Sequence, residues 1–123
     1  MKKIIVLVAL VVYTTPAQAH PMKHPAKELY FAHRCDHGNV FACIHRGAIH
    51  WGASYADLRQ LSGCETGRTW RTDLTNPSGA AGLFQFMPGT WRSTPYASHS
   101  VYSAKWASFA GAWGRTHGVT WSC

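Results

Sequence analysis

Four cysteines, Cys35, Cys43, Cys64 and Cys123, constrain this chain more than any other feature, because all of them lie beyond a stretch that reads as an export signal. Lys2 and Lys3 precede an apolar run from Ile4 to Tyr13, and Ala17-Gln18-Ala19 supplies small residues where a signal peptidase needs them. Residues 1–19 are therefore expected to be a cleaved secretory signal, with the mature chain starting near His20. A membrane anchor is the competing reading, but the run falls short of the ~20 residues a helix needs to cross a bilayer. No lipid-attachment cysteine follows it, so the expected location is secreted, periplasmic or cell-wall, with the membrane met only during export.

Setting the signal aside leaves 104 residues, enough for one small domain and too few for two. An even number of cysteines in an oxidising compartment favours two disulfides. Three pairings are open. The preferred one joins Cys35 to Cys43 in a short local loop and Cys64 to Cys123, tying the last residue to the middle of the chain. Closing that second loop stabilises a fold by a few kcal/mol, roughly, in the chain-entropy model.

Without Lys2 and Lys3 the chain carries ten Lys and Arg against five Asp and Glu, net +5 with His neutral. Such a surface favours acidic partners, and bacterial wall polymers are polyanions that it would concentrate near the protein. Nucleic acid is not expected, since the basic residues are scattered and carry no nucleic-acid fingerprint.

The local pattern predicts a lead-in over residues 20–26, two helical stretches, a glycine-rich middle and a final helix. Asp36-His37-Gly38-Asn39 is a turn signal within Glu28 to Trp51, inside the proposed small disulfide loop. Ser54 stands three residues before Asp57 in a capping-box-like start, and Tyr55, Leu58, Leu61 and Ser62 form one face of a helix running to Cys64 and Glu65. Pro77, Gly79 and Gly82 interrupt residues 76–82, which should form a loop or short hairpin. Leu83 to Met87 is a compact apolar stretch, and Pro88 suits the first turn of a short helix carrying Thr90 and Trp91. Tyr102, Trp106, Phe109 and Trp113 recur at helical spacing and predict an amphipathic helix with an aromatic core face. The expected architecture is mainly α, with at most a small β element.

Acid/base chemistry on a glycosidic bond needs a carboxylic acid kept protonated in a partly apolar cleft. Of five acids, Glu28 and Asp36 lie in the front region and Asp57 fits a cap, leaving Glu65 and Asp73 beside the glycine-rich, aromatic middle. Glu65 is placed at a helix C-terminus, where the negative end of the dipole disfavours its charged form and raises its pKa. Read alone, it is equally an ordinary solvated glutamate.

The run Cys64-Glu65-Thr66-Gly67-Arg68-Thr69-Trp70, then Asn76, Ser78-Gly79-Ala80 and Gly82-Leu83-Phe84-Gln85-Phe86-Met87-Pro88-Gly89-Thr90-Trp91, resembles the lysozyme-like lytic transglycosylases. It is most similar to their short transglycosylase-like and resuscitation-promoting-factor-like group. Trp121-Ser122-Cys123 resembles the ending of those domains, whose last cysteine bonds the one before the catalytic glutamate. The resemblance covers about residues 50–123 and implies a lysozyme-like α+β domain there, preceded by an N-terminal segment over residues 20–49. By that resemblance Glu65 is the catalytic residue, and Gln85, Thr66, Trp70, Asn76, Ser78 and Phe84 are substrate-binding candidates. Gln85 could instead be a buried amide satisfying loop backbone, and Trp70 and Trp91 core supports. Arg68 and Thr69 depart from the family's Gly-Asn, and Tyr102-Ser103-Ala104 lacks an asparagine common there.

The implied reaction is cleavage between N-acetylmuramic acid and N-acetylglucosamine in peptidoglycan glycan strands, by a monomeric enzyme with no cofactor and no metal. Glu65 protonates the glycosidic oxygen and then activates the muramoyl 6-hydroxyl, giving a 1,6-anhydro end without a second carboxylate. A hydrolytic muramidase of the same fold is the alternative, with Asp73 as the candidate partner at ~5 to 10 Å. Two other classes compete: a non-catalytic cell-wall-binding protein, and a zinc module built on His33, Cys35, His37, Cys43 and His45, whose spacing matches no standard finger.

Overall fold

The computed structural model describes residues 25–123, so the secretory signal expected over residues 1–19 lies outside the described residues. Five helices follow one another: α1 (Pro25–Asp36), α2 (Val40–Trp51), α3 (Tyr55–Glu65), α4 (Pro88–Ser93) and α5 (Ala104–Thr116). Among the described residues the only β pairing is two isolated bridges, Thr75 with Ala81 and Ala81 with Phe86. The protein is a small, mainly helical domain with two disulfides, Cys35–Cys43 and Cys64–Cys123.

Each helix starts where its local chemistry allows. Pro25 and Ala26, expected in the lead-in, open α1 instead: proline lacks only an N–H that a first turn leaves unused, and its φ is already helical. The turn signal at 36–39 divides the front into two helices, with Asn39 capping α2 by accepting from the Ala42 N–H at 3.0 Å. Cys35–Cys43 spans this turn. Ser54 caps α3 through the Asp57 N–H, and the Asp57 carboxylate takes two hydrogen bonds of 2.9 Å from Arg115 near the end of α5. Ser103 caps α5 through the Trp106 N–H.

The core joins the front of the chain to its rear. Ile44 and Ala48 of α2 pack in one cluster with Leu58 and Leu61 of α3, Leu83, Phe84 and Phe86, Trp91 of α4, and Ala107, Ala110 and Ala112 of α5. Residues 25–49 and 50–123 thus share a core, and α2 runs across the boundary between them.

The expected aromatic core face of α5 is corrected. Tyr102 precedes the helix and is exposed, while Trp106 and Trp113 are only partly covered; of the four, Phe109 alone is buried. The buried residues are mostly small, from Ala107 through Ala112 and Gly114. The cause is close approach. A Cβ on Gly47 would collide with the Ser108 carbonyl, and one on Gly111 would lie 2.8 Å from the Phe84 ring, so α2 and α5 meet backbone to backbone at Gly47 and Ser108, and neither glycine has room for a side chain.

The two disulfides close loops of very different length, 8 and 59 residues in sequence separation. Replacing Cys64 and Cys123 by Ser should destabilise the domain by about 4 kcal/mol, and replacing Cys35 and Cys43 by about 2.5 kcal/mol, on the chain-entropy model. Urea denaturation of both double variants measures the difference, and an equal loss in the two would contradict the assigned role of loop length.

Candidate active site

Glu65 is the last residue of α3, and what surrounds it follows from how that helix ends. Thr66 is 4 % exposed; its Oγ1 donates to the Ser62 carbonyl at 2.7 Å and accepts from the Trp70 N–H at 2.9 Å. The chain then turns through Arg68 and Trp70, both at positive φ (64° and 50°), a conformation non-glycine residues seldom adopt. The Trp70 ring lies back over α3, against the bare backbone of Gly63, with Nε1 donating to the Arg59 carbonyl at 3.1 Å. Phe41 meets it edge-on from α2.

The glycine-rich segment is ordered by its own side chains. Asn76 Oδ1 accepts from the Ser78 and Ala80 N–H groups at 3.0 and 3.1 Å and from the Ser78 hydroxyl, so one side chain organises the whole turn. Leu74 O accepts from the Gly82 N–H and from Gln85 Nε2. Gly82 sits at φ 76° with its Cα against the Val101 carbonyl, where any side chain would both strain and collide. Gln85 has φ 50° and is 9 % exposed, and its Nε2 also donates to the Gly82 carbonyl at 2.8 Å. Its Oε1 accepts no hydrogen bond among the described residues.

The C-terminal tail binds these segments together. Cys123 holds Cys64, next to Glu65, and Trp121 Nε1 donates to the Phe84 carbonyl at 2.8 Å, next to Gln85. The Trp121 ring packs edge-on against Phe86.

The candidates therefore divide by what their side chains already do. Thr66 and Asn76 spend their side-chain oxygens on nearby backbone, and the Ser78 hydroxyl donates to Asn76 Oδ1. Phe84 is fully buried against Gly111 and presents no surface to a ligand. Trp70 and Trp91 are both packed supports, Trp91 with Nε1 on the His99 carbonyl. Gln85 combines both expected roles, an amide N–H₂ holding loop backbone and an oxygen left over. The sequence reading missed Tyr102, whose hydroxyl shares a hydrogen bond with that of Thr75 and links the segment before α5 to the glycine-rich segment. Its helical spacing with Trp106 hid it.

Glu65 is electrostatically alone. Among the described residues no ion pair or hydrogen bond engages its carboxylate, and burial pushes its pKa above the usual carboxylate value. The expected direction holds, with desolvation as its cause. Asp73 is the opposite case: Arg71 grips it at 2.9 and 3.0 Å on the open surface, and that hydrogen-bonded pairing holds its carboxyl below the usual range. Glu65 lines neither of two concavities of about 340 and 320 Å³, the second of which is bounded by Arg68 and Trp70.

The zinc reading loses its ligands. Cys35 and Cys43 are bonded to each other, His45 is stacked between Phe31 and Tyr55, and His33 packs on His37. Among the described residues no group of three or more His, Cys, Asp or Glu could hold a metal ion.

A carboxyl with a raised folded-state pKa keeps its proton longer than the unfolded chain does, so ionising Glu65 lowers stability as pH rises from the ordinary carboxylate value through the folded one. Glu65→Gln should therefore gain stability over the wild type at pH 7 and lose that advantage at pH 4, measured by urea denaturation; an advantage unchanged between the two would remove the desolvation argument. Comparison with protein-family models, curated proteins and solved structures finds no match to this chain.

Proposed function

We propose that this protein is an exported peptidoglycan-cleaving enzyme, a lytic transglycosylase acting on the bond between N-acetylmuramic acid and N-acetylglucosamine with Glu65 as its general acid and base. The observation that carries the reading is the lone, partly buried Glu65 at the end of α3, its pKa raised by desolvation, beside an Asp73 already committed to Arg71. A general acid must hold a proton near the working pH, and desolvation shifts Glu65 in that direction without a charged neighbour. Supporting it are the two left-handed residues after Glu65 and the left-handed Gln85, since backbone strain concentrates where a site demands a fixed geometry.

The reaction then runs through one carboxyl group. Protonated Glu65 donates to the glycosidic oxygen as that bond breaks and positive charge develops at the muramoyl C1. Its carboxylate next takes the proton from the 6-hydroxyl of the same sugar, whose oxygen closes on C1 to give the 1,6-anhydro end and restore the acid. Gln85 Oε1 is the group available to accept from a sugar hydroxyl or amide. The net positive chain favours accumulation on anionic wall polymers.

Mass analysis of products from purified peptidoglycan tests the assignment: anhydro-muropeptides are expected, reducing ends would make the protein a muramidase, and no cleavage would leave a wall-binding protein. Glu65→Gln should lower cleavage by more than tenfold with the fold retained by circular dichroism, because an amide cannot donate and recover the proton. Asp73→Asn should cost less than about tenfold, roughly 1.4 kcal/mol of barrier. A loss beyond a hundredfold in folded Asp73→Asn, with reducing ends from the wild type, would give Asp73 the role of nucleophile or base.

A further inference from the structure

The concavity of about 340 Å³ lies between α1, α2 and α5 and has no part in the proposed glycan chemistry. Leu29 and Ala32 of α1 supply aliphatic surface, and the rings of Tyr96, Trp106 and Phe109 form an aromatic wall. Two cations and one acid line it: Arg46, Lys105 and Glu28. No ion pair joins Glu28 to either cation among the described residues.

Arg46 is incompletely satisfied. Its Nη1 is sealed from solvent without a hydrogen-bond partner; its nearest acid, Asp36 Oδ1, stands at 3.5 Å, close enough for charge attraction but without hydrogen-bonding geometry. The guanidinium also lies 5.5 Å from the Phe109 ring centre, and Lys105 Nζ lies 4.4 Å from that of Trp106. Positive charge is thus held against flat apolar surface at two points, in a cavity large enough for a small molecule.

We propose that this cavity is a second binding site, for a small organic carboxylate with a flat apolar body. The carboxylate pairs with the open donors of Lys105 and the Arg46 guanidinium, and the body lies against Trp106 and Phe109. Arginine suits the role because its planar fork meets both carboxylate oxygens.

The test uses the full oxidised protein and two probes of matched shape, indole-3-acetate and its neutral amide, indole-3-acetamide, followed by ¹⁵N NMR titration. Expected are shifts confined to Ala32, Arg46, Trp106, Phe109 and their neighbours, a Kd below about 1 mM, and at least tenfold weaker binding of the amide. Lys105→Gln, a partly exposed change that leaves the core untouched, should weaken the acid about tenfold and leave the amide unchanged. Equal affinity for the two probes, shifts scattered over the surface, or full binding by Lys105→Gln would each overturn the proposal. Cavity residues that shift with protein concentration alone would make the face an interface between copies and overturn it equally.

Discussion

The Cys64–Cys123 bond joins the end of α3 to the last residue of the chain, and the arrangement around Glu65 depends on that closure. A helix end is normally its least ordered part, since its last carbonyls lack intrahelical partners. Here the residue before Glu65 is covalently held, and the tail that holds it is itself docked by Trp121 on the Phe84 carbonyl and the Phe86 ring. The Arg115 side chain, which reaches Asp57 at the other end of α3, also lies 5.7 Å from the Trp121 ring centre. Both ends of α3 are therefore referred to α5 and its continuation.

That frame explains how a chain of this size can keep a carboxyl partly dry. Small residues along α5 let α2 and Phe84 approach its backbone, so a limited number of side chains fills the core. Other rings pack outside that contact, against helix backbone or one another: Trp70 on Gly63, Trp121 on Gly114, and His45 between Phe31 and Tyr55. Burial, and no partner charge, acts on Glu65, which is why its proton affinity rises while that of Asp73, open to water and paired with Arg71, falls.

Much of the fold was legible because its signals are local. Ser54 caps α3, Pro88 opens α4, the 36–39 turn divides the front helices, and the glycine-rich segment carries only isolated bridges, as their residue types require. The stripe of Tyr102, Trp106, Phe109 and Trp113 misled for the same reason: periodicity identifies a helix but does not say which face a crowded partner will accept. The buried face was set by the separation of α2 and α5, a tertiary quantity. Among the site candidates, the Thr66 hydroxyl and the Asn76 amide oxygen serve backbone groups and the Ser78 hydroxyl serves Asn76, partners that become neighbours only when the turns close.

The sequence by itself determined the starts of α3 and α4, the break at 36–39, the single-domain size and the position of Glu65 at a helix end, because each rests on residues close in the chain or on a count. Only the tertiary structure decided that Glu65 lacks a partner, that Gln85 keeps an unused oxygen at a left-handed position, that Phe84 is core, and that Arg46 is held with a sealed, unpartnered nitrogen beside an aromatic cavity. Desolvation and hydrogen-bond satisfaction depend on what lies within a few ångströms in space, and for these groups the deciding neighbours come from distant segments and from the tail.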